Sequence, residues 1–253
     1  DQEEVAALFS KYDLAAIPVV DATGRLIGRV THDDITDVVE EETEEDILHM
    51  AGTDPRETES ASAFRAVGAR SHWLAATMIG TIITMGVMAY FNGHIDHKIM
   101  VVLTVFGPAV AAISGNSGVQ ASTLTMLGLT TGGLAGRSFA RVFAREIRIA
   151  LGIALLFGLG AGAVTRLIAP ILEHYGRWDP AVASPGTVAV AVGGAMLLAI
   201  LYATLLGTIL PFSLKKFGID PAIASGPLVT TLNDSASWAI YLLLAMTLIR
   251  WLS

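Results

Sequence analysis

Five long apolar segments constrain this chain more than any other feature of its sequence. A helix needs about 20 mostly apolar residues to cross a bilayer, and each segment reaches that length. Only 15% of the 253 residues are charged, against about 25% in a soluble globular domain. We therefore predict a mainly α protein, a five-helix transmembrane bundle with a small cytosolic α/β piece at its N-terminus. The predicted spans are 72–91, 99–130, 146–172, 186–212 and 222–250.

The basic residues between these spans indicate the orientation of the bundle, because Arg and Lys concentrate in cytoplasmic loops. They cluster before the first span, between the second and third, and between the fourth and fifth. These three places lie on one side if every segment crosses. We expect a cytoplasmic N-terminus, an external C-terminus and a location in the cell (inner or plasma) membrane. The basic residues on the cytoplasmic side are Arg65, Arg70, Arg137, Arg141, Arg145, Arg148, Lys215 and Lys216.

The first 60 residues form an acidic head, which holds 17 of the 23 carboxylates and only four basic residues. An acidic surface repels nucleic acid and attracts cations, so we expect no nucleic-acid partner. Hydrophobic periodicity predicts two helices and two strands in this head. The helices are predicted over 3–13 and 32–42, and the strands over 17–21 and 25–30.

A polar connector joins this head to the membrane part. Thr43 and Asp46 have the spacing of a capping box, which predicts a separate short helix that begins there. We therefore divide the chain into three parts. These are the α/β piece 1–42, a connecting helix and linker 43–71, and the transmembrane domain 72–253.

Asp234 lies near the middle of the last span, where a charged residue costs about 2.5–3.5 kcal/mol on insertion scales. It is the only acid in the interior of any span. The nearest rival, Glu146, sits beside Arg145 and Arg148 and is predicted to be an acid at the cytoplasmic mouth. Because such an unpaired intramembrane acid is usually functional, we expect an ion site rather than a carboxyl used for packing.

Asp234 belongs to a polar stripe on one side of its helix. Residues at the spacing i, i+4, i+8, i+11 and i+15 stack on one helical face, and Asn233 flanks that face. The stripe contains Gly226, Thr230, Asp234, Ser237 and Tyr241.

The second span has a polar face that carries no formal charge. Lipid does not tolerate such a face, so it either forms a packed seam between helices or lines a water-filled passage. Lining is favoured, since amides and hydroxyls let a hydrated cation pass without holding it too tightly. The polar residues are Ser114, Asn116, Ser117, Gln120, Ser122, Thr123 and Thr125.

A single carboxylate is a sparse ligand set, and this favours hydrated Mg²⁺ over Ca²⁺ or Zn²⁺ because Mg²⁺ gives up its waters reluctantly. A two-fold homodimer would bring two copies of Asp234 to a shared axis, and one pore per subunit is the other arrangement. A carrier for Co²⁺ or another divalent cation, or a Na⁺- or H⁺-coupled cation exchanger, remains an alternative. We expect no enzyme activity, because an intramembrane hydrolase needs a second deep Asp, a Ser with a His, or an HExxH motif.

Two short motifs in the head resemble the second half of a CBS domain. They are Ile17-Pro18-Val19-Val20-Asp21 and Gly28-x-x-Thr31-x-x-Asp34. The resemblance implies that Thr31 and Asp34 can hold the ribose and phosphate of an adenine nucleotide such as ATP. The alternative is that Thr31 only caps the following helix and that Asp34 is favourably placed in its first turn.

Two longer motifs resemble the MgtE magnesium channels and their eukaryotic solute-carrier relatives. The first is Pro108-x(6)-Gly115-Asn116-x-Gly118-x-Gln120-x-Ser122-Thr123-Leu124. The second is Asp220-Pro221-Ala222-x(3)-Gly226-Pro227-Leu228-Val229-x-Thr231-Leu232-x-Asp234. The resemblance implies a homodimer in the bilayer that imports Mg²⁺ and closes when cytosolic Mg²⁺ is plentiful.

The same resemblance implies roles for individual residues. The pore site would consist of Asp234, the backbone carbonyl of Thr230, Asn116 at the pore wall, and Gly226, which stands where some members have Asn. A cytosolic regulatory Mg²⁺ would bind Asp220, Glu45 and Asp46. The side chains predicted to line the pore further along are Asn233, Ser237, Gln120 and Ser114.

Overall fold

The computed structural model of the protein describes residues 2–53, 62–130, 134, 138–176, 178–181, 183–224 and 226–252. Residues 54–61 of the predicted connector and Arg137 lie outside this described part. The head has the predicted order of elements. They are α1 (Gln2–Tyr12), β1 (Ala16–Val20), β2 (Leu26–Thr31) and α2 (His32–Ala51).

The two strands of the head pair antiparallel as a hairpin, with Ala16 opposite Thr31. Asp21 closes the turn between them, because its Oδ1 accepts hydrogen bonds from the backbone N–H groups of Thr23 at 2.9 Å and Arg25 at 3.0 Å. An aspartate that binds the backbone two residues onward is a common turn device. The hairpin predicted from alternation is therefore present.

Helix α2 differs from the prediction, since it runs without a break across the expected boundary between residues 42 and 43. The Thr43 hydroxyl donates to the Val39 carbonyl at 2.6 Å, one turn earlier in the same helix, instead of capping a new helix. No Gly or Pro lies between His32 and Ala51 to interrupt the backbone. The helix ends at Gly52, whose φ of 74° is the left-handed conformation typical of a glycine cap.

Five long helices follow the head, and each is long and apolar enough to cross a membrane, which confirms the predicted fold class. Each extends beyond its predicted apolar segment at one end or both, because helical hydrogen bonding continues into the polar flanks. The helices are α3 (Ala63–Asn92), α4 (His97–Thr130), α5 (Phe139–His174), α6 (Pro185–Lys216) and α7 (Pro227–Leu252).

The start of α7 also differs from the prediction, which placed residues 222–226 in the last span. A short 3₁₀ turn covers Pro221–Ala224, and Gly226 has a φ of 61°. A left-handed residue cannot continue a right-handed helix, and Pro227 is suited to a first helical position. The stripe predicted from Gly226 onward therefore begins one residue before the helix itself.

Helix α6 lies at the centre of the bundle, with α4, α5 and α7 around it, and α3 packs on α7. Glycines bring α6 close to its neighbours. A Cβ at Gly158 of α5 would lie 2.9 Å from the Gly193 carbonyl of α6, and one at Gly118 of α4 would lie 3.0 Å from the Ala203 carbonyl. Small residues at such crossings are the usual basis of helix packing in membranes.

Candidate cation site

Asp234 lies at the contact between α7 and α4, and its side chain is half-buried. Gly115 of α4 faces it, because a Cβ at that position would be 3.8 Å from Asp234 Oδ1 and 3.4 Å from Asn233 Nδ2. The absence of a side chain at Gly115 thus gives the carboxylate room beside the α4 backbone. The site is the place where the two polar motifs of the sequence meet.

Three side chains predicted to line a passage form a packed seam between α4 and α7 instead. Ser114, Asn233 and Ser237 have 0% exposed surface. Ser114 Oγ donates to Ser237 Oγ at 3.0 Å, and Ser237 Oγ is 2.9 Å from Asn233 Oδ1. Asn233 Nδ2 reaches back to Ser114 Oγ at 3.4 Å. These side chains satisfy one another, which is what buried polar groups in lipid require.

Asn116 and Gln120 are exposed on the outer face of α4, in contrast to that seam. They are four residues apart and therefore share one face of the helix. An amide in contact with lipid would lose its hydrogen bonds at a cost of several kcal/mol. The exposed face of α4 beside Asp234 therefore needs water or a second protein surface against it.

Thr230 and Gly226 lie one and two turns before Asp234. Thr230 donates both its N–H and its hydroxyl to the Gly226 carbonyl, each at 3.0 Å. Gly226 itself is covered by the end of α2, because a Cβ at this position would overlap the Met50 carbonyl. The structure thus gives a physical reason for glycine at position 226.

The end of α2 is docked on the start of α7 at this point. A Cβ at Gly52 would lie 2.6 Å from Pro227 Cγ and 3.5 Å from Trp73 Cγ of α3. Together with the Met50 contact, this makes a continuous junction of α2, α3 and α7. The N-terminal head therefore touches the same helix that carries Asp234.

Two of the predicted regulatory acids, Asp220 and Glu45, both lie close to the ring of His49 on α2. Asp220 Oδ2 is 3.3 Å from His49 Nδ1, and Glu45 Oε1 is 3.8 Å from His49 Nε2. Asp220 Oδ1 also accepts from the Ala222 N–H at 2.8 Å, which fixes the carboxylate at the 3₁₀ turn. Each ring nitrogen of His49 thus faces one carboxylate.

The third predicted regulatory acid, Asp46, lines a different space. It borders a cavity of about 450 Å³ between α1, α2 and the end of α4, where Met50, Leu127 and Thr130 also lie. Among the described residues, no group of three or more His, Asp or Glu side chains is arranged to hold a metal ion. The role of Asp46 stays a prediction.

The nucleotide prediction concerns Thr31 and Asp34, which are bonded to each other. Asp34 Oδ2 accepts from the Thr31 N–H at 2.8 Å and from its hydroxyl at 2.7 Å, and Thr31 caps α2. These hydrogen bonds, that of the hydroxyl first, hold the pKa of Asp34 below its ordinary value. The structure thus contains the capping arrangement, and a ribose would have to replace the Thr31 hydroxyl. ATP binding stays a prediction.

Glu146 is buried near the N-terminal end of α5, with Arg145 Nη1 at 3.6 Å from its Oε1. Helix α5 packs on α6, whereas Asp234 is on α7. The structure therefore does not bring Glu146 to Asp234.

Two residues at these sites were missed by the sequence reasoning. His49 lies four residues after Glu45, so their shared helical face was a readable signal. Gly115 lies inside the quoted motif of the second span, but its closeness to Asp234 depends on how α4 and α7 cross. Of the two, only His49 could have been found from the spacing of residues in the sequence.

Comparison with known proteins gives two family matches. Residues 107–244 match the MgtE family model, described as a divalent cation transporter. Residues 1–41 match the CBS domain model. The first match contains both polar motifs and Asp234, and the second contains Thr31 and Asp34.

Three similar proteins carry the name magnesium transporter MgtE. The protein of Thermus thermophilus is 35% identical over 252 residues, which cover 99% of this chain and 52% of the relative. Those of Bacillus subtilis and Enterococcus faecalis are 34% and 33% identical over 250 and 251 residues, again 99% of this chain and 52% of each relative. The chain thus spans about half the length of the curated relatives it matches.

Proposed function

The chain belongs to the MgtE family of divalent cation transporters, and from this premise we propose that it carries Mg²⁺ across the cell membrane as a homodimeric channel. The observation that carries the proposal is the position of Asp234. It is a half-buried carboxylate inside a membrane helix, next to Gly115 of α4. The name of the three relatives supports Mg²⁺ as the transported ion.

The geometry around Asp234 suits an ion that keeps its water. One carboxylate cannot strip Mg²⁺ of its hydration shell, whose waters are held in near-ideal octahedral geometry. The amides of Asn116 and Gln120 lie exposed on α4, where they can bind waters of that shell. In this proposal Asp234 selects the ion by charge and the amides select it by the arrangement of its waters.

A second copy of the chain supplies the missing side of the pathway. The exposed amides on α4 cannot face lipid, and two-fold dimers are the commonest homo-oligomers. A two-fold axis along this face would place two Asp234 carboxylates around one passage. With the N-terminus in the cytoplasm, the membrane potential contributes about 2.3 kcal/mol per charge per 100 mV to inward movement.

We further propose that cytosolic Mg²⁺ closes the channel at the α2–α7 junction. Glu45 of α2 and Asp220 of the 3₁₀ turn both approach His49, so a cation between the two carboxylates would hold α2 in its docked place. Oxygen ligands of this type suit Mg²⁺.

The test is Mg²⁺ uptake into liposomes that contain wild type, Asp234→Asn or Asp234→Ala. Asp234→Asn keeps the size of the side chain and removes its charge, so we expect uptake to fall at least about tenfold, a loss of about 1.4 kcal/mol. Glu173→Gln is the matched control, because this acid is exposed at the outer end of α5 and should have no effect. Uptake by Asp234→Ala at the wild-type rate and selectivity would overturn the proposal.

A further inference from the structure

A second polar seam lies behind Asp234, on the side of α7 that faces α3. We call the four residues Gly80, Thr84, Thr231 and Ser235 the α3–α7 seam. The Gly80 carbonyl accepts from the Ser235 hydroxyl at 3.0 Å and from the Thr84 hydroxyl at 3.0 Å. The two hydroxyls are themselves 3.0 Å apart. Three oxygens thus join the helices at one point within the membrane part.

Gly80 makes this contact tight. A Cβ at Gly80 would overlap the methyl group of Thr231, and it would lie 3.3 Å from the Thr231 backbone oxygen. Any larger residue at position 80 would therefore push the two helices apart. The hydroxyls prevent sliding and rotation, and the glycine sets the distance between the helix axes.

The seam is close to Asp234 along the helix and is part of the main packing contact of α3. Ser235 follows Asp234 directly, and Thr231 precedes it by three residues. In the described part of the chain, α3 packs chiefly on α7. A helix moves nearly as a rigid body over one turn, so a loss of the seam would move Asp234 relative to Gly115 on α4.

We propose that Thr84 and Ser235 are positioning residues for ion selection, and that they hold Asp234 at the place where it recognises hydrated Mg²⁺. This inference rests on the proposed function. The octahedral shell of Mg²⁺ is rigid, whereas Ca²⁺ accepts six to eight oxygens in flexible geometry. A carboxylate held in one place therefore favours Mg²⁺ over Ca²⁺, because it fits a shell of fixed geometry. Functional groups have to be held within about 0.5 Å of the productive geometry for such a fit. A loosened carboxylate admits Ca²⁺ as well.

The experiment compares Mg²⁺ and Ca²⁺ uptake by the protein in liposomes for Thr84→Val, Ser235→Ala and the double variant. We expect each single variant to lower the Mg²⁺/Ca²⁺ uptake ratio by at least about fivefold, the lower end of usual coupling effects. The double variant should lower the Mg²⁺/Ca²⁺ uptake ratio little further than either single variant, because both substitutions break the same hydrogen-bond network. Ser235→Thr keeps a hydroxyl at this position, so it should retain most of the wild-type Mg²⁺/Ca²⁺ uptake ratio.

Two controls on the same helices separate positioning from general loss of hydroxyl groups. The hydroxyls of Thr81 on α3 and Thr247 on α7 bond only to carbonyls within their own helices, Thr77 at 2.9 Å and Leu243 at 2.7 Å. Thr81→Val and Thr247→Val should leave the ratio unchanged. If the double variant also keeps a ratio within about twofold of wild type, the positioning role is refuted.

A second readout does not depend on transport. The chain has no cysteine, so spin labels can be placed cleanly on the exposed positions Tyr90→Cys of α3 and Leu243→Cys of α7. We expect the distance distribution between them to broaden in Thr84→Val/Ser235→Ala and to stay narrow in Thr81→Val. An unchanged distribution refutes the inference. If wild type carries no Mg²⁺, the proposed function fails separately, and the spin-label result alone decides whether the seam fixes α7.

Discussion

Replacement of Gly226 by alanine should release α2 from the start of α7. Gly226 has a φ of 61°, and a Cβ there would overlap the Met50 carbonyl at the end of α2. The added methyl group therefore has two separate costs. The left-handed backbone raises the free energy of the docked and undocked states alike. The overlap with Met50 raises the free energy of the docked state alone.

The size of the effect follows from this separation. A side chain in the left-handed region costs about 1–2 kcal/mol, but this cost cancels between the docked and undocked states. Overpacking at a close contact costs about 1–3 kcal/mol, and it acts on the docked state alone. A difference of about 1–3 kcal/mol corresponds to an approximately 5- to 150-fold change in an equilibrium. Inhibition by cytosolic Mg²⁺ should therefore need a correspondingly higher concentration.

Gly218→Ala is a matched control, because Gly218 also has a positive φ, 71°, yet a Cβ there would meet no atom within 4 Å. Docking can be followed by spin labels on the exposed positions Glu44→Cys of α2 and Phe217→Cys after α6. We expect Gly226→Ala to lengthen this distance and to raise the inhibitory Mg²⁺ concentration. If it shifts neither quantity more than Gly218→Ala does, the Met50 contact does not control docking.

Two further substitutions test the sites at Asp220 and in the N-terminal head. Asp220→Asn keeps an oxygen for the Ala222 N–H but removes the charge beside His49, so we expect weaker inhibition of Mg²⁺ uptake by internal Mg²⁺ with little change in uptake when internal Mg²⁺ is absent. Thr31→Val removes the hydroxyl that chiefly lowers the pKa of Asp34, and NMR titration of the Asp34 carboxyl should show its pKa return toward 3.8. Because the folded-state pKa is lowered, the Thr31–Asp34 bonds stabilise the head above the ordinary pKa of aspartate and are lost as the pH falls through the lowered value.

The bundle could be predicted from the sequence because the bilayer leaves few choices. Apolar segments of this length have to satisfy their backbone groups internally, and a helix does so. The hairpin of the head was equally readable, since its strands alternate around a turn that begins at Asp21. These elements depend on local pattern alone, and all of them are present.

The elements that could not be predicted depend on contacts between distant residues. A capping box at Thr43 and an unbroken helix are both compatible with the local sequence, and the Thr43 hydroxyl bonds to Val39 instead. In the same way, helical spacing placed Gly226 on the stripe of α7. Gly226 instead lies before the helix with a left-handed backbone, and the lack of room for a Cβ there comes from Met50 at the end of α2, 176 residues away in the chain.

In the candidate site, too, local spacing predicted some features, and others depended on contacts between helices. Spacing placed Asp234 and Ser237 on one side of α7 and identified the polar face of α4. It could not decide which polar side chains are packed and which are exposed, because that depends on the rotation of each helix. Ser114 and Ser237 are buried against each other, whereas Asn116, two residues after Ser114, is exposed.

Helix α7 is therefore held from three directions, and each contact has a different consequence for Asp234. The seam of Ser114 and Ser237 fixes it to α4, the Ser235 hydroxyl fixes it to α3, and the Met50 carbonyl meets its start. The first two contacts lie at the depth of Asp234 and act on its position. The third lies two turns away, where the end of α2 meets α7, so we expect it to control access to the pathway. Substitutions in the α3–α7 seam should thus change which ion passes, and substitutions at Gly226 should change when any ion passes.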